Sequence, residues 1–197
     1  IKLAVKDVAP RLVPQQELHK KFSVIGERCN VAGSKKFREL VNENLQDAVS
    51  IAVSQVESKA DVLDVCFDHP DINASMIKDF IELLSASSVA FTPTMIDSSD
   101  FDTLVLGVKS SMVKPIVNSI SLKEGETEFL RRATEFFRLG TKIILMLADE
   151  QGQADTYERK IEIADRIVKL AKSVGFDVDD ILIDPNVLTI CTGIDTH

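Results

Sequence analysis

Six short apolar runs in this sequence each carry, at or just after their ends, side chains that a buried strand ordinarily avoids. "FSVIGER" (22–28) ends in Glu27 and Arg28, with Asn30 just beyond. "VLDVCFD" (62–68) carries Asp64 and Asp68, "FTPTMIDS" (91–98) carries Asp97, and "PIVNSIS" (115–121) carries Asn118. "KIILMLAD" (142–149) ends in Asp149, followed by Glu150 and Gln151, and "DILIDPN" (180–186) carries Asp184 and Asn186. A carboxylate at the end of an apolar run needs a partner, because an unpaired buried charge is costly. Acids and amides delivered one per strand to a common rim make an acceptor-rich bowl. Such a bowl fits a neutral heterocycle with several N–H donors along one edge. A carboxylate can take two parallel hydrogen bonds from an amino group and the adjacent ring N–H, and amides serve an edge that mixes donors and acceptors. A pterin ring has this pattern and so does a guanine-like base; the spacing does not separate them.

Each residue also has a plainer reading. An Asp after a strand is commonly the N-cap of the next helix, and Asp97 before Ser98 and Ser99 suits that role. Asp184 before Pro185 suits a turn, and Asp149 and Glu150 suit a solvated surface. Asp64, with apolar neighbours on both sides, is hardest to explain in that way. A group of carboxylates also suits a divalent cation, but the amides and the one-per-strand spread favour an organic ring, and no metal site is expected. The three cysteines, Cys29, Cys66 and Cys191, are scattered and form no CxxC pair, and with only His19, His69 and His197 beside them a structural zinc is not expected.

These side chains need a scaffold that brings strand ends together. The apolar runs are of strand length and β-rich, and amphipathic segments lie between them. "MIKDFIELL" places Met76, Phe80, Ile81 and Leu84 on one helical face. "YERKIEIADRIVKLAKSVG" places Ile161, Ala164, Ile167, Val168 and Ala171 on another. Ser99 with Asp102 reads as a capping box, and Gly140 and Gly175 stand where helices should stop. Alternating strands and helices with near-continuous apolar strands predict a parallel α/β sheet. Strand starts fall about 25 to 40 residues apart, the spacing of a (β/α)8 TIM barrel, and ligand sites in that fold form at the strands' C-terminal ends. The 197 residues supply six such units, whereas a full barrel typically needs about 250 residues. No GxGxxG follows the first strand, which weakens a Rossmann reading.

Composition bounds the partners. Hydrophobic residues make up 45% and charged residues 27%, with a net charge of −8. That balance argues against nucleic acid or an anionic membrane as partner, and no apolar run approaches the roughly 20 residues of a membrane span. The odd, scattered cysteines suit a reducing, cytoplasmic setting. Residues 1–21, with Pro10, Pro14 and many charges, read as a linker or strap from a preceding domain, and 22–197 as the barrel, incomplete at its C-terminus. A chain that starts at Ile1 is expected to be part of a longer protein.

Several stretches resemble a known family. "GERCNVAGSKKF" (26–37), "MIDSS" (95–99), "IVNSISLKEGE" (116–126), "DEQGQAD" (149–155) and "DPNVLTICTGI" (184–194) look like the pterin-binding barrel of cobalamin-dependent methionine synthase. The resemblance implies that 5-methyltetrahydrofolate is held in a TIM barrel as methyl donor. It implies a methyltransferase of one-carbon metabolism and methionine biosynthesis, with transfer to cob(I)alamin on another domain and then to homocysteine on a third. Zinc would belong to the homocysteine domain only. Folate, and the cobalamin and homocysteine domains of the same longer chain, are the implied partners. Carried over motif by motif, Asp97, Asn118 and Asp184 become pterin contacts, with Glu27 and Asn30 beside the ring. Asp64, Asp149 and Asn186 lie on the same rim, and no residue is assigned a catalytic role. Since the nucleophile is cobalt, Cys29 and Cys191 are expected to be buried small hydrophobes.

The sequence departs from the family in three places. Cys66 stands where Asn is usual, "HPDIN" replaces an acidic, Gly-containing loop, and the family's seventh strand, whose Asn would reach the methyl-bearing nitrogen, would follow the last run. These residues alone are therefore expected to be inactive in methyl transfer. Three alternatives share the pterin rim: transfer to a corrinoid iron–sulfur protein, dihydropteroate synthase, and a non-catalytic pterin-binding fragment. Dihydropteroate synthase usually has Pro-Asp-Ser-Phe in its first-strand motif, where Ala32, Gly33, Ser34 and Lys35 stand here.

Overall fold

A computed structural model describes residues 22–187. Residues 1–21, expected above to be a linker or strap, lie outside them, as do the end of the last motif, Cys191 and His197. The chain forms two compact units that divide after Val117.

In the first unit β1 (Ile25–Asn30), β2 (Val62–Cys66) and β3 (Thr94–Asp97) pair in parallel. They alternate with α1 (Lys35–Glu43), α2 (Leu45–Glu57), α3 (Met76–Ser85) and α4 (Phe101–Ser110). The second unit holds α5 (Glu126–Arg138), β5 (Lys142–Met146), β6 (Ala148–Asp149), β7 (Gly152–Gln153), α6 (Tyr157–Val174) and β8 (Ile181–Asp184). The strand β4 (Ile116–Ile120) spans the division. The strands of the main sheet follow one another as β1-β2-β3-β4-β5-β8, in the order of the six apolar runs. That is the order expected when each strand is followed by a crossover that returns to the next position.

The first unit is cored by three aromatic rings. Phe37 of α1 meets Phe67 edge-on at 5.8 Å and Phe80 of α3 at 5.2 Å, and all three are fully buried. Caps fix where the helices start: Ser34 accepts from the Phe37 N–H, Asn44 from Gln46, and Thr156 from Arg159. In the second unit α6 ends at Gly175 (φ 122°), whose missing Cβ leaves room for the Phe137 ring, 2.7 Å from where a Cβ would lie. Phe137 then stacks edge-on with Phe176 at 5.4 Å.

Several local expectations need correction. The third run does not begin its strand at Phe91: β3 starts at Thr94, and Phe91 is 69% exposed. Pro93 has no N–H for a ladder and stands at the strand's edge of entry. The first strand likewise starts at Ile25, leaving Phe22 78% exposed. The fifth run breaks after Met146, and Ala148–Asp149 pairs antiparallel with Gly152–Gln153 in a separate hairpin. On α6 the buried stripe is Ile163, Ile167 and Ala171, while Ile161 is 54% exposed. The predicted face was set one residue out of phase at its N-terminal end. Ser99 does not cap α4; Asp100 does, accepting from the Thr103 N–H at 2.8 Å.

Candidate functional site

Register decides which side chains of the first unit share a face. Asn30 pairs with Cys66, and Cys66 with Asp97, so these three form a row at the C-terminal ends of β1, β2 and β3. Side chains alternate along a strand, so Asp64 shares that face one step deeper, while its neighbours Leu63 and Val65 point the other way and are fully buried. Glu27 and Arg28 together stand opposite Asp64, where the β1–β2 register shifts in a β-bulge.

Asp64 is 3% exposed and its Oδ1 has no hydrogen-bond partner. Burial, with the negative charges of Asp97 and Glu27 adding to it, pushes its carboxyl up to about 7. Asp97 is also raised, first by burial and then by the charges of Asp68 and Glu27, against a hydrogen bond from the Cys66 thiol that favours the carboxylate. The groups acting on both acids are thus mostly other acids. Clustered acids, with the buried Asp64 Oδ1 left without a donor, form a surface suited to a donor-rich, uncharged ligand edge.

The reading of Asp97 as a helix cap fails, because Asp100 holds that position. The loop after Asp97 is instead clamped by Asp68. One oxygen of Asp68 accepts from the Ser98 hydroxyl at 2.7 Å, and the other from the Ser99 N–H at 2.7 Å and its hydroxyl at 2.8 Å. The Ser-Ser doublet was visible in the sequence, but its partner lies 30 residues away. Cys66 supplies a donor at this position: burial pushes its thiol up to about 12, so it stays protonated and bonds Asp97. Cys29 is likewise buried and raised to about 12, as an inert thiol should be. Asn30 spends its amide oxygen on its own loop, accepting from the N–H groups of Ala32 (2.9 Å) and Gly33 (2.8 Å).

In the second unit Asp184 ends β8, in register with Met146 of β5. Its Oδ1 accepts from the Asn186 N–H at 2.9 Å, and the Asn186 amide reaches the Leu147 carbonyl at 3.4 Å. Asn118 is a half-buried residue of β4. Asp149 lies on the hairpin, where its Oδ1 receives Arg159 Nη2 at 2.7 Å and the Gln151 N–H at 2.9 Å. Next to it Glu150 takes a two-pronged contact from Arg166 (2.9 and 3.0 Å), which also holds Glu126 at 2.7 Å. That guanidinium holds the Glu150 carboxyl below its usual range. The "DEQGQAD" acids therefore tie a hairpin to helices within this unit. Among the described residues no group of three or more His, Cys, Asp or Glu side chains is arranged to hold a metal ion. Nor is any helix among them long and apolar enough to cross a membrane.

Solved structures with this fold include dihydropteroate synthase from Xanthomonas albilineans in complex with 7,8-dihydropteroate, 17% identical with a TM-score of 0.61. That match covers 95% of this chain and 64% of the other. The enzyme from Vibrio fischeri is 19% identical with a TM-score of 0.62, over 88% and 66% of the two chains. That from Yersinia pestis is 13% identical with a TM-score of 0.57, over 83% and 56%. The chain thus spans between 56% and 66% of the length of these structures, and at such identities the likeness establishes the fold. It is the α/β fold of a pterin-binding TIM barrel, of which six strands are present among the described residues. The family profile of pterin binding enzymes matches residues 26–197, nearly the whole chain, and the protein belongs to that family.

Proposed function

We propose that this protein binds 5-methyltetrahydrofolate and supports transfer of its methyl group to cob(I)alamin in an enzyme of the methionine synthase type. The observation that carries the binding half is Asp64: a buried carboxyl oxygen without a donor, beside a second raised acid, Asp97. An amino group and ring N–H supply the missing donors. Asp64 accepts them when ionised and offers a proton when neutral, and a value near 7 keeps both forms within reach at physiological pH. Asp97, held by the Cys66 thiol and by the Asp68 clamp on the following loop, fixes the ring's orientation. Glu27 and Asn30 border the same face. Asn118, Asp184, Asp149 and Asn186 enter by the motif resemblance. The corrinoid cobalt, carried on another domain, is the nucleophile in this reading, so the chain needs no nucleophilic side chain. Its residues have to hold the ring still while the methyl-bearing nitrogen is protonated.

What supports methyl transfer over other pterin chemistry is the set of motifs, "GERCN", "IVNSISLKEGE" and "DEQGQAD". A second reading, carbon–nitrogen bond formation on a pterin, is favoured by the likeness to dihydropteroate synthases. Two assays separate them: the full-length protein is mixed with 5-methyltetrahydrofolate and cob(I)alamin, and loss of the cob(I)alamin absorbance is followed; separately it is given a dihydropterin carrying a phosphate leaving group together with an arylamine, and dihydropteroate is measured. Demethylation in the first supports the first reading; its absence, together with dihydropteroate formation in the second, supports the second. Calorimetric titration of Asp184→Ala tests the ring contact. Loss of a charge-assisted hydrogen bond costs roughly 1.5–3 kcal/mol, about ten- to a hundredfold in affinity. Unchanged affinity in a folded variant removes Asp184 from the site.

A further inference from the structure

Gln55 lies in α2, on the stripe that also buries Ala48 and Ala52, and is 7% exposed. A polar side chain there must be satisfied, and both ends of this one are spent on β1. Its Oε1 accepts from the Arg28 backbone N–H at 2.8 Å, and its Nε2 donates to Cys29 Sγ at 3.2 Å. A third contact is steric: a Cβ on Gly26 would lie 2.6 Å from Oε1.

These three contacts straddle the bulge. In a regular strand, residues three apart point to opposite faces, yet Gly26 and Cys29 both meet the same Gln55. The extra residue of the bulge restores their common face. Across the strand, Gly26 and Cys29 pair with Leu63 and Val65, leaving Glu27 and Arg28 together opposite Asp64 alone. A bulge leaves a backbone N–H outside the ladder, and the Gln55 carbonyl takes up that of Arg28.

We propose that Gln55 is a positioning residue: by holding the β1 bulge through the Arg28 N–H and the Gly26 and Cys29 contacts, it keeps Glu27 on the Asp64 face. The Asp64 microenvironment is then set from the opposite side of the strand, by a helix that does not border the site. For its consequence on ligand binding the inference rests on the reading of this face as the pterin site; its test is read on the ligand-free protein and stands whether or not a pterin binds.

The groups acting on Asp64 are Asp97 on β3 and Glu27 on β1. The Asp64 carboxyl is therefore titrated by carbon-13 NMR in the full-length protein and in Gln55→Leu, Glu27→Gln and the double variant. The midpoint moves down in Gln55→Leu, toward that of Glu27→Gln, and the double variant moves no further than Glu27→Gln alone. A Gln55→Leu protein that is merely less stable, with its Asp64 midpoint where it was, overturns the proposal. So does a double variant in which the two displacements simply add. Gln55→Glu keeps an oxygen for the Arg28 N–H and is expected to preserve the exchange protection of that amide. Should Gln55→Leu not fold, hydrogen exchange of the unaltered protein decides: the Arg28 amide exchanges slowly if Gln55 holds it, and exchange at the rate of a free loop amide overturns the proposal.

Discussion

Replacing Asp64 by Asn is expected to stabilise this protein at alkaline pH relative to acid pH. The folded chain holds the Asp64 proton up to about 7, against an ordinary 3.8. A folded-state value above the unfolded one means that the native state binds more protons through that window. The contribution of Asp64 to native stability is therefore fully present below about 4 and falls as pH rises to about 7, then levels off. Each tenfold step in proton affinity is worth about 1.4 kcal/mol, so ionising Asp64 removes up to about 4 kcal/mol in total, of which about 3 kcal/mol falls between pH 4.5 and 8. Asparagine cannot ionise and lacks this loss. Its amide brings its own unpaired hydrogens into the site, at roughly 1–3 kcal/mol, but that cost is the same at both pH values and cancels in the comparison. For a chain of this size 1 kcal/mol moves Tm by roughly 2–4 °C. The Tm of Asp64→Asn minus that of the unaltered protein should therefore be about 6–12 °C more favourable at pH 8 than at pH 4.5. Thermal unfolding followed by circular dichroism at the two pH values, without ligand, measures it. A difference in Tm that is the same at both would mean that Asp64 ionises freely, and the reasoning about its unpartnered oxygen would be wrong.

Two further substitutions probe how the site is held. Asp68→Ala removes the acceptor of both Ser98 and Ser99; a loss of roughly 1–3 kcal/mol is expected by urea denaturation, and one below about 0.5 kcal/mol, within the range of neutral surface changes, would show that water replaces the clamp. Gly107→Ala sets helix propensity against space: alanine gains about 1 kcal/mol in a helix interior, but its Cβ would lie 2.6 Å from Ile96 Cγ2 on β3. Overpacking at roughly 1–3 kcal/mol should win, so a stabilised variant would contradict the close approach of α4 to the sheet.

Periodicity and punctuation in the sequence determine the alternation of strand and helix, the strand order and the strand-terminal position of the acids. Those are short-range properties: an apolar run of strand length, a capping side chain and a glycine stop act over a few residues and leave their mark locally. The stop at Gly175 is legible for that reason. The family motifs added the pterin, which the acceptor pattern alone left beside a guanine-like base. What tertiary structure decided is how those acids are used. Asp97 is a face residue and no cap because Asp100 captures the Thr103 N–H first, and the Ser99 hydroxyl goes to an Asp on the preceding strand's loop. The Asp149 hairpin departs from the sheet, and its acids pair with arginines on a helix that follows. Gln55 looks in sequence like one polar residue on an apolar stripe, and only the β1–β2 register shows why it must be there. The raised pKa of Asp64 depends on burial and on charges from two other strands, 33 and 37 residues away along the chain. Burial and register are properties of pairs of elements brought together by the fold, and a linear pattern records each member of such a pair without recording that they meet.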